Sequence, residues 1–304
     1  MTTRDRFLGC LLGLAVGDAV GTTLEFKPRG SFKPITDMTG GGPFHLEPGQ
    51  WTDDTSMALC LASSLVERGE FDPADQMTRY VSWHDEGYWS SNGGCFDIGN
   101  ATATALARFK RSGDPFSGST DPRSAGNGSI MRLAPVPMFF AGDTAKAIRY
   151  SAESSRTTHA AAECLDACRL FGAMLVRALN GFAREYVLLG DVKTLFGCPT
   201  IEAIARGGYR AKAEDAIRGS GYVVDSLEAA LWCFDKTGSF EEAVLRAANL
   251  GDDADTTAAV CGQIAGAFYG AAGIPQRWLG KLAMREEIGG LASSLFARSG
   301  LVEG

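Results

Sequence analysis

Gly9, Gly13 and Gly17 stand four residues apart in the N-terminal run RDRFLGCLLGLAVGDAVG, among Leu, Ala and Val. That spacing places all three on one face of an α-helix. A face stripped of side chains lets a second backbone come close, so this run reads as a core helix. The rest of the chain has the same period. Over residues 54–68, Met57, Ala58, Leu61, Ala62, Leu65 and Val66 recur at the i, i+3, i+4, i+7 spacing of one buried face. The run DPADQMTRYVSWHDEG opens with a proline in its first turn and closes at Gly87. Further helices are expected over roughly 100–112, 143–155, 159–180, 225–237, 239–250, 255–272 and 274–298. Runs of alternating β-branched residues are almost absent, and YVV at 222–224 is too short for a strand. The expectation is an all-α chain. No Pro-, Gly- or Ser-rich linker marks a boundary, so residues 1–304 read as a single orthogonal helical domain.

Composition narrows the function. A formal charge of −7 argues against nucleic acid or an anionic membrane as the main partner. A small anionic substrate is still admissible, because backbone N–H groups can bind phosphate inside an acidic protein. The eight cysteines form no C-x-x-C pair, and with three histidines in the chain a zinc site is not expected. Such cysteine usage suits a reducing cytoplasm. The apolar run Phe7–Val16 mimics a signal peptide, yet Asp5 sits among its arginines and its glycines are spaced for packing. Cytoplasmic localisation, with no membrane partner, is the expectation.

Two acid clusters carry the chemical argument. WTDDTSM occupies 51–57 and GDDADTT occupies 251–257, each just ahead of an apolar, small-residue helix. Thr52 reads as an N-cap, with Asp53 and Asp54 in the first turn where carboxylates complement the helix dipole. Capping accounts for one such cluster. Two of them, both leading into core helices, would bring four or five carboxylates to buried helix ends, at high cost if unpaired. Carboxylate and hydroxyl oxygens without His or Cys suit Mg²⁺ or Mn²⁺. The acids suffice for two ions, which in such sites lie ~3.5–4 Å apart. Neither stretch has the spacing of a calcium-binding helix-loop-helix.

The same residues fall into a wider pattern. GLAVGDAVGTTLEF (13–26), WTDDTSM (51–57), GGCFDIGNAT (93–102), GNGSIMRLAPV (126–136), THAAAECLDA (158–167), GSGYVVDSLEAALWCF (219–234) and GDDADTTAAVCGQIAGAFYG (251–270) follow in order along the chain. In this the chain resembles the ADP-ribosylglycohydrolase family, close to its bacterial dinitrogenase-reductase-activating type. The resemblance spans nearly the whole length and implies a single all-α domain. It implies that Thr52, Asp53, Asp54, Asp253, Asp255 and Thr256 hold two divalent cations. It gives Asp97 and Glu25 catalytic roles, Asn127, Gly128, Ser129, Met131 and His159 the pyrophosphate region, and Tyr222 the nucleotide. The stretches 112–125 and 189–215 depart from the pattern and are expected to border the entrance.

Each of these residues also has a plainer reading. Asp97 suits an Asx-type turn ahead of a helix capped by Asn100. Glu25 suits a surface pair with Lys27 or Arg29. GNGSIM lacks the preceding strand of a dinucleotide fingerprint, though a glycine loop entering a helix still offers N–H groups to phosphate. His159 suits a helix cap, and Tyr222 suits the core. The activity implied by the resemblance is hydrolysis of the N-glycosidic bond between ADP-ribose and a protein arginine, reversing mono-ADP-ribosylation. Its substrate would be an ADP-ribosylated protein or a small ADP-ribosyl conjugate. The alternatives are serine-linked or O-acetyl ADP-ribose, an inactive ADP-ribose-binding relative, or a two-metal phosphohydrolase.

Overall fold

A computed structural model describes residues 1–189 and 197–303. Among these, fourteen helices and no strand are found, and extended pairing is confined to four isolated bridges. The helices are α1 (Thr3–Gly21), α2 (Asp53–Arg68), α3 (Pro73–Glu86), α4 (Asn100–Ser112), α5 (Pro135–Phe139), α6 (Thr144–Arg156) and α7 (Ala162–Leu179). They continue with α8 (Arg184–Leu188), α9 (Pro199–Ala205), α10 (Val223–Asp235), α11 (Phe240–Ala248), α12 (Ala254–Tyr269), α13 (Gln276–Leu279) and α14 (Arg285–Arg298).

Helix α1 lies at the centre. It is long and apolar enough to cross a bilayer, but nearly all of it is packed inside the protein. Its partner is α12, antiparallel to it. A Cβ added to Gly9, Gly13 or Gly17 would sit 2.2, 2.3 or 2.1 Å from the carbonyl oxygens of Gly266, Gly262 and Ala258. One turn further, a Cβ on Gly21 would lie 2.4 Å from Ala254 O and 2.5 Å from Asp255 Cα. Gly262 and Gly266 repeat the relation from the other side. The glycine ladder is therefore the contact itself, and it carries the end of α1 to the start of α12.

Ordinary end signals delimit several helices. Asp72 caps α3 by accepting from Ala74 and Asp75 N–H, Pro73 fills its first position, and Gly87 ends it at φ 73°. Gly69, at φ 72°, ends α2. The expected helix over 274–298 is instead two, α13 and α14, parted at residues 280–284. There Ala283 N–H donates to Gly49 O at 3.0 Å, outside any helical pattern. Gly49 has φ 103°, and a Cβ on it would lie 1.9 Å from Lys281 O. Tertiary pairing with the 49–51 loop has displaced a helical turn. The short helices α5, α8 and α9 span too few residues for their apolar period to show in the sequence. All eight cysteines are free thiols, seven of them buried.

Replacing Gly17 by Ala should cost about 3 kcal/mol, because the methyl group would press on a backbone oxygen that no rotamer change can move. Gly290, in α14, has nothing within 4 Å of its would-be Cβ. Gly290→Ala should therefore stabilise by roughly 0.5–1 kcal/mol. Denaturant unfolding of the pair checks both signs, and equal effects would contradict the ladder.

Candidate active site

The start of α2 is hung on α1 by Asp18, which is fully buried. One carboxylate oxygen accepts from Thr52 N and Thr52 Oγ1, each at 2.9 Å. The other accepts from Thr55 N at 3.0 Å and Thr55 Oγ1 at 2.6 Å. Two of the amides that a helix start leaves open, those of Thr52 and Thr55, are thus satisfied from another helix. Thr52 does occupy the N-cap position, but its side chain makes no capping bond. Its hydroxyl proton goes to Asp18, with Asp255 Oδ2 3.3 Å away.

The α1–α12 contact brings the second cluster to the first. Thr256 Oγ1 donates to Asp54 Oδ1 at 3.2 Å, across 202 residues of sequence. Asn127 Nδ2 donates to Asp253 Oδ2 at 2.9 Å, tying the glycine loop to the same group. Carboxylate oxygens of Glu25, Asp97 and Asp255 all lie within 4.8 Å of one another. Glu25 makes no surface pair: it is buried, while Lys27 Nζ donates to Thr23 O and Arg29 to Leu250, Glu214 and Ile217 carbonyls.

Burial first, and the neighbouring acids next, push five of these carboxyls, Glu25, Asp53, Asp54, Asp97 and Asp255, towards their protonated form. Glu25 is pushed up to about 10, by burial and then by Asp97 and Asp253. Asp97 is pushed up to about 7, by burial and then by Asp18 and Asp253. Asp53, Asp54 and Asp255 are all raised well above the carboxylate range, and the main charges acting on them are other carboxylates. Asp54 Oδ2 and Asp255 Oδ1 are buried with no hydrogen-bond partner among the described residues. Acceptor oxygens without donors, in a cluster to which no described residue brings a counter-charge, form a donor set suited to a hard divalent cation. The cluster can hold metal.

Asp97 has φ 60°, as has Phe26, and Asp252 has φ 55°, so three strained residues flank the cluster. The helix after Asp97 starts at Asn100, and the residue before it, Gly99, makes no side-chain cap. Asn100 is thus the first helical residue rather than the cap.

A cavity of about 370 Å³ opens over the acids, lined by Glu25, Asp53, Asp97, Asn127, Gly128, Met131, His159, Asp253, Asp255 and Thr256 among others. Thr52 and Asp54 lie beneath it, both fully buried. Residues 127–132 form turns rather than leading straight into a helix. The N–H groups of Gly128 and Ser129 have no acceptor among the described residues. The Ser129 hydroxyl turns inward and accepts from Ser155 Oγ at 2.8 Å, so only its backbone faces a ligand.

A second cavity, of about 830 Å³, adjoins the first and shares Asn100, Ala101, Gly126 and Gly221 with it. Tyr222 lines this one and is partly exposed, its hydroxyl donating to Glu163 Oε2 at 2.6 Å. Glu163 also accepts from Thr200 Oγ1 at 2.8 Å. Loop residues 117–126 form one wall, with bridges pairing Ser119 with His159 and Gly126 with Tyr222. The stretch 112–125 therefore does border the opening. Residues 190–196 of the stretch 189–215 lie outside the described residues, and its described remainder lines neither cavity.

Sequence reasoning passed over Asp18, Arg132, Thr158 and Glu163. A signal existed for the first two. Asp18 is the one charge in GLAVGDAVGTTL, and Arg132 the one charge in SIMRLAPVPMFF. A lone charge in an apolar run has to find partners when it is buried.

The sequence profile of the ADP-ribosylglycohydrolase family matches residues 1–303. The ADP-ribosylarginine hydrolase Tri1 of Pseudomonas putida (strain GB-1) is 50% identical over 299 residues, covering 98% of this chain and 80% of that protein. The ADP-ribosyl-[dinitrogen reductase] glycohydrolase of Rhodospirillum rubrum is 33% identical, covering 99% and 98%. A solved structure described as an ADP-ribosylglycohydrolase-related protein complex superposes with a TM-score of 0.86 at 43% identity, covering 98% of this chain and 99% of that one.

Without bound cations, Asp97 and Asp18 have folded-state values of about 7 and about 6, above their ordinary 3.8. An acid raised on folding stabilises the fold below its unfolded value, and that contribution is lost as pH climbs through the folded one. In chelator, the unfolding midpoint should therefore fall between about pH 4 and 7. A divalent cation at about a hundredfold its dissociation constant should return ~2.7 kcal/mol at neutral pH. A midpoint that rises over that window in chelator, or that ignores the cation, would contradict this account.

Proposed function

Since this chain belongs to the ADP-ribosylglycohydrolase family, we propose that it hydrolyses the N-glycosidic bond between ADP-ribose and a protein arginine. The observation that carries the reading is the joining of two unlike cavities. One is lined by carboxylates together with the glycine loop and His159, the other by residues of the 117–126 loop, Glu163 and Tyr222, and together they suit a ribose and a nucleotide linked by diphosphate. The identity of the Tri1 relative favours arginine over serine-linked or O-acetyl conjugates.

Thr52, Asp53, Asp54, Asp253, Asp255 and Thr256 would hold two divalent cations, Mg²⁺ or Mn²⁺, in line with the unpartnered oxygens of Asp54 and Asp255. Bound there, such ions supply positive charge that orients the ribose diol and favours an ionised water. The remaining work falls to the chain. Water adds to the anomeric carbon as the bond to the guanidine nitrogen breaks; its oxygen stays on ADP-ribose and the arginine side chain leaves with a proton. Asp97 aligns that water and takes its proton, being neither firmly ionised nor firmly protonated near neutral pH. Glu25, kept protonated beside Asp97, donates to it and so favours the ionised form that accepts the proton. The N–H groups of Gly128 and Ser129 receive the diphosphate, and Tyr222 packs on the nucleotide. The location proposed for the reaction is the cytoplasm, a reading that the free thiols support.

Asp97→Asn should lower kcat at least ~100-fold while leaving ADP-ribose affinity within about threefold. Mass analysis of products from arginine- and serine-modified proteins, with and without chelator, tests the bond itself. Intact ADP-ribose from the arginine conjugate is expected. AMP among the products would point to a phosphohydrolase, and no release at all to a binding protein.

A further inference from the structure

Arg132 is fully buried, yet no carboxylate pairs with it among the described residues. Its guanidinium is satisfied by neutral acceptors alone. Nε donates to Tyr80 Oη at 3.1 Å and Nη1 to Gly128 O at 2.5 Å. Nη2 donates to Thr157 Oγ1 at 3.3 Å and Thr158 Oγ1 at 2.7 Å, and the group lies 4.8 Å from the centre of the Tyr80 ring. This one side chain thus grips both the glycine loop and the segment before His159.

The next bond fixes a proton. A guanidinium has no acceptor, so Thr158 Oγ1 must be the receiving atom in its bond with Arg132. The hydroxyl's own proton then needs a destination, and His159 Nδ1 lies 2.8 Å away. Thr158 is fully buried, and its hydroxyl has no other acceptor among the described residues. Were Nδ1 protonated, two donors would converge on Thr158 and its own proton would be stranded, at the cost of a buried unmade bond. The ring proton therefore belongs on Nε2.

That nitrogen faces the ligand side. A Cβ on Gly128 would come within 3.1 Å of Nε2, and one on Gly126 within 3.4 Å, so the ring's outer edge meets the loop where side chains are lacking. Burial, and then the charge of Arg132, pushes His159 down to about 3, so the ring is uncharged across the neutral range.

We propose that Arg132 and Thr158 are positioning residues that lock His159 in its Nε2–H form, aiming a neutral donor at the substrate's diphosphate beside the N–H groups of Gly128 and Ser129. The ligand half of this rests on the cavity being an ADP-ribose site; the tautomer half does not. Arg132 also polarises the Gly128 peptide through its carbonyl, which strengthens the Ser129 N–H as a donor to the same anion.

Long-range proton–nitrogen spectra of the ¹⁵N-labelled full chain read the tautomer directly. His45 and His84 are the only other histidines, and His159→Gln identifies the signal. A pyridine-type Nδ1 and a pyrrole-type Nε2, unchanged from about pH 6 to 8, are expected. Thr158→Val should release the tautomer, and weaken ADP-ribose binding about tenfold, with the loss in KM rather than kcat. Thr158→Ser, which keeps the hydroxyl, should restore both. A pyrrole-type Nδ1 in the wild-type protein overturns the proposal and needs no variant to fold. So does a Thr158→Val protein with wild-type tautomer and affinity, or a folded Thr158→Ser protein as impaired as Thr158→Val. A wild-type protein with the Nε2–H form that binds no ADP-ribose would uphold the relay and overturn the ADP-ribose reading instead.

Discussion

The backbone contact between α1 and α12 is the constraint on which the remainder depends. Its ladder of small residues lets two helices meet through carbonyl oxygens, so neither can slide along or rotate about the other without steric conflict. Because the pair is antiparallel, the last rung at Gly21 falls beside Asp255. The same helix α1 carries Asp18 one turn earlier, and Asp18 accepts the first N–H groups of α2. Two acid clusters some two hundred residues apart in sequence are thus registered on one helix. Their meeting is a result of packing, and their mutual repulsion is imposed on the site by the core.

That repulsion has a counterpart. Among the described residues, a group of carboxylates without a base lies on one side of the glycine loop, and a buried guanidinium without an acid lies on the other. Each is costly alone, since an ion taken out of water loses several kcal/mol of hydration that only close partners offset. The loop touches both, through Asn127 to Asp253 and through Gly128 to Arg132. A pocket so polarised favours a ligand that brings cations to its acidic end and an anion to its donor end. Under the function proposed above, the ribose with its metal ions and the diphosphate fill those places.

The amphipathic period made the all-α class and most long helices legible, because a helix that buries one face must repeat its apolar residues. Tertiary exceptions were not legible. Nothing within 274–298 announces that Ala283 will pair with Gly49 and split the helix. Nor does WTDDTSM announce that the Thr52 hydroxyl will turn to Asp18 rather than cap α2. In the site, repetition of the acid motif disclosed the carboxylates, and the family pattern added the loop, His159 and Tyr222. The supporting groups, Asp18 and Arg132, are marked in the sequence only as single charges in apolar runs. Such a residue signals that a partner exists without saying where.

Glu25 shows how far the core reaches into the chemistry. It follows the short 3-10 turn Thr22–Leu24 that ends α1, where the chain leaves the ladder. There Phe26 N–H donates to Asp252 O at 2.7 Å, and Asp252 N–H to Lys27 O at 2.8 Å. This two-bond clamp joins the exit of α1 to the entrance of α12, and both Phe26 and Asp252 adopt positive φ to make it. For a phenylalanine that conformation costs on the order of 1–2 kcal/mol, and the residue stays largely exposed. What the clamp achieves is placement, since the residue before Phe26 is delivered beside Asp255 and Asp97. The strained turn is best understood as the last rung of the α1–α12 contact, made of hydrogen bonds where side-chain-free packing has run out.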